Sequence, residues 1–243
     1  MTLTVHRPST LRGRLVRRVL TALMSRIDNR AAIRRAATFT PHDATLNHGK
    51  GPYYIPGSPT RRDVREDRQG SPLVLRIRSV EVDTLAPIAG ATVEIWQTDA
   101  DGFYSGYTSY DPERFPPVVS LALRRSRPVD DTRFLRGRQI TDDDGYVEFL
   151  TIVPGWYTPR TLHIHLGVSI ADKAVLMTEL FFSDEFTAEI QSLPEYAHRG
   201  GSPFTNTHDV ALRLTNASPG SWPAIQPIES GGHRADVTLQ IRR

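Results

Sequence analysis

The sequence predicts an all-β fold, an antiparallel sandwich of short strands with long loops, preceded by a short N-terminal helical segment. Three observations carry that prediction. From residue 73 onward the apolar residues alternate or run in strand-length blocks, as in LVLRIRSVEV (73–82) and ATVEIWQ (91–97). Those blocks are bounded by turn signals such as TLAPIAG (84–90), TDADG (98–102) and DDDG (142–145). Strands do not alternate with helical patterns, so a parallel βαβ sheet is not expected. With 243 residues, 39% hydrophobic and 23% charged, the chain can bury a sizeable core in one β-type domain. The expected division is a basic amphipathic helix and linker over 1–48 and a β-sandwich domain over 49–243.

Residues 10–36 read as a helix. Val16, Val19, Leu20, Leu23, Met24 and Ile27 recur at spacings of three and four, among eight arginines of which Arg12, Arg18, Arg30 and Arg35 are examples. The stripe is narrow and has no interfacial aromatic, so packing on its own domain or on a second subunit is preferred over a membrane or nucleic acid. A homodimer is expected. Residues 37–72 are irregular, rich in Pro, Gly and charge; a loop this long is often functional. The strands begin at 73–82 and 91–97. A Pro- and Arg-containing excursion over 108–137 follows. Then come RQIT (138–141), YVEFLTIV (146–153), a strand from Thr161 to Ile170, AVLMTELFF (174–182) paired with it across the turn at Ala171–Lys173, a short helix within 184–194, a mostly loop region over 196–234, and a last strand DVTLQI (236–241).

There is no cysteine, so disulfides, thiolate metal sites and cysteine nucleophiles are excluded, and any metal must be held by His, Tyr or carboxylates. The net charge of +3, concentrated near the N-terminus, gives no argument for nucleic acid. No apolar run approaches a membrane span. The arginine-bearing start has no convincing apolar core or cleavage site of a secretory signal, so a cytoplasmic location is expected.

PGWYTPRTLHIHLGVSI (154–170) draws attention because Tyr157, Arg160, His163 and His165 fall together. By strand parity Leu162, Ile164, Leu166 and Val168 point to a core, and His163 and His165 share the other face. Two imidazoles on one strand face can bind a metal, but the same pattern is more often solvated surface. Tyr104, just after the Asp101–Gly102 turn, and Tyr157 lie at loop edges, where tyrosines are usually amphipathic rim residues.

GPYY (51–54), PIAGATVEIWQTDADGFYSGY (87–107), FLRGRQITDDDGYVEFLTIVPGWYTPRTLHIH (134–165) and TELFF (178–182) together resemble the intradiol ring-cleavage dioxygenases. No single piece is specific; the ordered combination is. The resemblance implies one non-haem Fe(III) per chain, held by Tyr104, Tyr157, His163 and His165. It also implies cleavage of a catechol-type ring by O2 between its hydroxylated carbons, to a cis,cis-muconate-type diacid. Tyr157 would leave the metal and take up a substrate proton, and Arg160 would stabilise negative charge on the ring. Tyr53 and Tyr54 are expected to line the substrate pocket. Glu179 stands where the family often has a glutamine, as a substrate-binding candidate that is either protonated or paired with Arg160. Lys50 and Pro159 also depart from the family pattern. The arginines of the excursion, among them Arg124, Arg125, Arg127 and Arg133, either meet a carboxylated ring or belong to a solvated loop, the reading preferred. A non-catalytic carrier or binding module on the same scaffold, or a His-dependent metal hydrolase, is the alternative.

Overall fold

The computed structural model describes residues 22, 26–113, 127–215 and 218–242. Among them are eight strands: β1 (Pro72–Glu81), β2 (Thr92–Trp96), β3 (Arg136–Ile140), β4 (Tyr146–Ile152), β5 (His163–Ile170), β6 (Lys173–Phe181), β7 (Ala224–Pro227) and β8 (His233–Ile241). Their alternation matches the sandwich expectation. One sheet has the order β4-β1-β8-β7 and the other β3-β2-β5-β6. Leu73, Leu75 and Ile77 of β1, Phe149 of β4 and Leu239 of β8 meet Val93 and Ile95 of β2 and Ile164, Leu166 and Val168 of β5 in one buried core. Alternate residues of β1, β2, β4, β5 and β8 thus hold the two sheets together.

Two expectations need correction. The pairing of β1 with β8 is parallel, so the sandwich is not antiparallel throughout. The two strands are far apart in sequence, and nothing in either pattern encodes the direction in which they meet. The 196–234 region is less irregular than expected: it holds the 3-10 turn Asn206–His208, a helix Val210–Thr215 and β7. Helices α1 (Arg30–Ala36), α2 (Asp184–Gln191), α3 (Pro194–Ala197) and α4 (Val210–Thr215) all lie outside the sheets. Of the segment read as an N-terminal helix, residues 10–21 and 23–25 lie outside the described residues, as do Arg124 and Arg125. Ala32 of α1 packs with Phe181 and Leu212.

The β5–β6 turn falls where expected, with Ala171 and Asp172 both at positive φ, the conformation of a tight hairpin turn. The register it sets decides the site. Arg136, Trp96, His165 and Glu179 are direct cross-strand partners, one rung across all four strands of the second sheet. Facing residues of adjacent strands share a side of the sheet. This rung points away from the inter-sheet core.

Candidate metal centre

The outer face of a sandwich sheet is ordinarily wet, but this one is roofed. Tyr53 and Ile55, Tyr104 and Tyr107, and Tyr157 come from three separate loops and pack with Trp96 and Met177 in a second buried cluster. The loops are tied to one another. The Asp99 main-chain carbonyl accepts from Gly102 and from Gly155 (3.0 and 2.9 Å). The Asp99 side chain accepts from the Phe103 N–H at 2.9 Å, and Thr98 Oγ1 donates to the Gly155 carbonyl at 2.8 Å. The loops bearing Tyr104 and Tyr157 are therefore one hydrogen-bonded unit. Gly51 lies at positive φ against His165, and a Cβ there would sit 3.0 Å from Cε1, so a larger residue would be strained and would press on the imidazole.

Under the roof four donors converge. Tyr104 Oη lies 3.2 Å from His163 Nε2. The rings of Tyr157 and His163 are 5.4 Å apart, those of Tyr104 and Tyr157 5.6 Å, and those of His163 and His165 4.9 Å. His163 Nδ1 lies 2.8 Å from the Thr161 carbonyl, which can only accept. That bond places the proton on Nδ1 and leaves the Nε2 lone pair free toward Tyr104. His165 stacks on Trp96, with ring centres 5.0 Å apart and planes 3° apart. Neither of its ring nitrogens has a hydrogen-bond partner; Glu179 Oε1 lies 3.3 Å from Nδ1. A buried polar group without a partner needs an explanation, and a metal ligand is one. Ligating atoms of His163, His165 and Glu179 lie within 4.8 Å of one another.

Arg160 is the surprise of the site. Its Nε donates to both Asp209 oxygens (3.2 and 2.9 Å), and Nη2 donates to Glu179 Oε2 at 2.5 Å. Asp209, which sequence reasoning missed, also accepts from the N–H groups of Thr161, Ala211 and Leu212, and so starts α4. An Asp before an apolar run is a legible N-cap signal; that it also holds Arg160 is not. Tyr53 lines the pocket together with Tyr104, Tyr107, Tyr110 and Tyr157. Tyr54 sits elsewhere: it packs edge-on to Trp96 and donates to Glu94 at 3.1 Å. It packs against the cluster of Tyr53, Tyr104 and Tyr157 but is not among the residues lining that cavity. Tyr104 and Tyr157 are buried, not rim residues.

Burial dominates the ionisation of these groups. It pushes the Tyr157 phenol up to about 12, against Arg160, and lifts Tyr104 well above the usual range with Tyr157 adding to the effect. Both phenols are protonated until something cationic replaces the proton. Burial, then Arg160, lowers His163 to about 4, and burial takes His165 well below its ordinary value. Burial opposes the Glu179 anion, but Arg160, His165 and His163 together outweigh it and hold the carboxyl below its usual range.

These shifts have a consequence for stability. The unfolded chain protonates its histidines near 6.5, whereas folded His163 does so near 4. Through that window the unfolded state binds more protons, so stability rises with pH, and is lost as the pH falls, by about 1.4 kcal/mol per unit for each such residue. Glu179, depressed on folding, also loses stability as the pH falls. Asp99, raised by burial to about 6 from 3.8, acts the other way. Two imidazoles and Glu179 outweigh one carboxyl. Metal-free protein is expected to lose roughly 3 kcal/mol between pH 7 and pH 4.5, read from urea midpoints. A midpoint that held constant would contradict two neutral buried imidazoles.

The donor set suits a hard, highly charged ion: two phenol oxygens and two neutral imidazoles, with no thiolate. Comparisons with known proteins point the same way. A family model described as "Dioxygenase" matches residues 50–193. The chlorocatechol 1,2-dioxygenase of Pseudomonas sp. (strain P51) is 30% identical over 136 residues, 55% of this chain and 53% of that protein. The 6-chlorohydroxyquinol 1,2-dioxygenase of Cupriavidus pinatubonensis is 30% identical over 143 residues, 54% of this chain and 48% of that protein. The chain spans about half the length of the curated relatives it matches. Among solved structures, an intradiol ring-cleavage dioxygenase from Tetranychus urticae superimposes with a TM-score of 0.73 at 32% identity, over 82% of this chain and 94% of that one.

Proposed function

We propose that this chain, which belongs to the intradiol ring-cleavage dioxygenase family, uses Fe(III) to open a catechol-type ring with O2 between the two hydroxylated carbons. The product is a cis,cis-muconate-type diacid that keeps both oxygen atoms. The observation that carries this reading is the meeting of Tyr104, Tyr157, His163 and His165 in one buried site, with both His165 nitrogens unpartnered.

Those four residues would hold the ion. Bound there, a ferric ion supplies the Lewis acidity that makes a chelated catecholate ring reactive toward dioxygen. The chain supplies the rest. Tyr157, whose phenol resists ionisation, is the group to take a proton from an incoming catechol hydroxyl at its own Oη. Its loop sits above the sheet face that carries the histidines. Arg160 is anchored to that same loop, its N–H donating to the Tyr157 carbonyl at 2.5 Å. Its guanidinium is fixed in place beside the donors by Glu179 and Asp209 before any substrate arrives. Trp96 packs flat on His165 and excludes water from that side. Tyr53 stacks on Tyr104 with centres 4.7 Å apart and forms part of the pocket wall, suited to an aromatic ring.

Colour tests the proposal. Protein reconstituted with iron should be red-brown from phenolate-to-iron charge transfer. Anaerobic catechol should shift the band, and air should then consume one O2 per ring. Colourless reconstituted protein, or catechol without O2 uptake, would sink it.

A further inference from the structure

His163 and His165 stand on one strand face, but what lies behind their rings differs. In an imidazole Nδ1 sits nearer the main chain and Nε2 is the outward nitrogen. His163 turns Nδ1 to the Thr161 carbonyl at 2.8 Å, a neutral acceptor, and Nε2 toward Tyr104. His165 turns Nδ1 toward a carboxylate. Glu179 Oε1 lies 3.3 Å from it, on the residue that faces His165 across β5 and β6. In the metal-free protein this is a hydrogen-bond length without hydrogen-bond alignment. The carboxylate is fixed in place by its other oxygen. Oε2 accepts from Arg160 Nη2 at 2.5 Å, whereas Oε1 is 3.4 Å from Nη1 and has lone-pair capacity left for a further donor. Arg160 also serves Asp209 at 2.9 Å, so one guanidinium is divided between two carboxylates and neutralises Glu179 only in part. All three members of this trio are buried, where a residual charge is poorly screened. Trp96, with its plane 3° from that of His165, leaves the ring room to shift within its own plane, the plane that holds the Nδ1 proton.

From this arrangement we infer that Glu179 is a positioning residue for the metal: it accepts the Nδ1 proton of His165 when Nε2 holds the ion, and it makes His165 the stronger imidazole donor of the two. The inference rests on the four-donor reading above. A metal at Nε2 requires the proton on Nδ1, and Oε1 is placed to receive it. A carboxylate that accepts from the second nitrogen of a ligating imidazole fixes the ring and raises its basicity. The added negative charge favours the ion of higher charge, because Fe(III) gains more from it than Fe(II) does. His163, backed by a neutral carbonyl, receives no such help. A glutamine at position 179 would offer a neutral acceptor of the same shape, so the effect belongs to the carboxylate. Arg160 and Asp209 then have a second use, which is to hold that carboxylate still behind the ligand.

The test uses the full chain in two metal states. Gallium(III), a redox-inert and diamagnetic trivalent ion, permits magnetic resonance of protein labelled with 15N-histidine. In the gallium-loaded wild type the Nδ1 proton of His165 should resonate well downfield of that of His163, and Glu179→Gln should bring the two together. With iron bound, the Fe(III)/Fe(II) potential is read from the charge-transfer band in a mediated redox titration. Glu179→Gln should cost Fe(III) about tenfold more affinity than Fe(II), a rise of about 59 mV in this one-electron potential. A gallium-loaded wild type whose two Nδ1 protons resonate together overturns the inference, and that measurement needs no variant to fold. A folded, coloured Glu179→Gln with an unchanged potential overturns it as well. So does a potential that moves while the His165 resonance does not, since a distant field would then account for the shift. Each of these leaves the four-donor site standing. Iron-loaded wild type that stays colourless sinks the four-donor reading itself and takes the inference with it.

Discussion

Arg160→Met is expected to destabilise the metal-free protein by about 3–5 kcal/mol, the range for stranding a buried charge by removing its partner. The two carboxylates do not suffer equally. Asp209 keeps the N–H groups of Thr161, Ala211 and Leu212. Glu179 is 5% exposed, and Arg160 is the hydrogen-bond donor to its carboxylate. Most of the loss should therefore sit on Glu179, which gives two checks. Adding Glu179→Met should recover at least about half of the loss, because a buried charge set can often be replaced by apolar side chains of similar volume. The deficit of the single variant should also shrink as pH falls. Without Arg160, burial raises the Glu179 pKa, so the folded variant takes up a proton before the unfolded chain does and gains stability toward low pH. Urea denaturation of the three proteins at pH 7.5 and 5 measures all of this. A single-variant loss under about 1 kcal/mol would mean that the trio is wetter than its burial implies.

The parity of β5 was open to reading because a strand has a period of two and one face carried only Leu, Ile and Val. What parity does not say is whether the other face is wet. His163 and His165 look like surface residues on the pattern alone. They are buried because loops near Tyr53, Tyr104 and Tyr157 fold over them. Those loops have no periodicity, and their closure depends on long-range bonds such as Asp99 to Gly155. The family resemblance, not the pattern, brought Tyr104 and Tyr157 to the histidines. Asp209 shows the opposite limit. Its capping role is local and legible, whereas its bond to Arg160 spans 49 residues of sequence and depends on where α4 docks. The parallel meeting of β1 and β8 belongs with it, since two strands with the same alternation pair equally well in either direction as far as pattern goes.

His165→Phe should abolish the function proposed for the site and leave the fold intact or firmer. In the metal-free protein both ring nitrogens of His165 are buried without a hydrogen bond, with Glu179 Oε1 3.3 Å from Nδ1. An unmet buried polar group costs about 1–3 kcal/mol, and phenylalanine removes two of them while keeping a planar ring to stack on Trp96. Metal-free His165→Phe should therefore be as stable as wild type or about 1 kcal/mol more so, at a pH where the imidazole is neutral. Iron content should fall far below one per chain, the charge-transfer colour should vanish, and O2 uptake with catechol should drop by more than about 100-fold, since loss of even an outer-shell partner costs 10–100-fold. His163→Phe is the informative control. His163 Nδ1 is already satisfied by Thr161, so that change strands a carbonyl and should cost stability as well as iron. A pair of variants equal in iron loss but opposite in stability is what a preformed ligand site requires. If His165→Phe keeps its colour, or loses as much stability as His163→Phe, then His165 is a packing residue and the four-donor site is wrong.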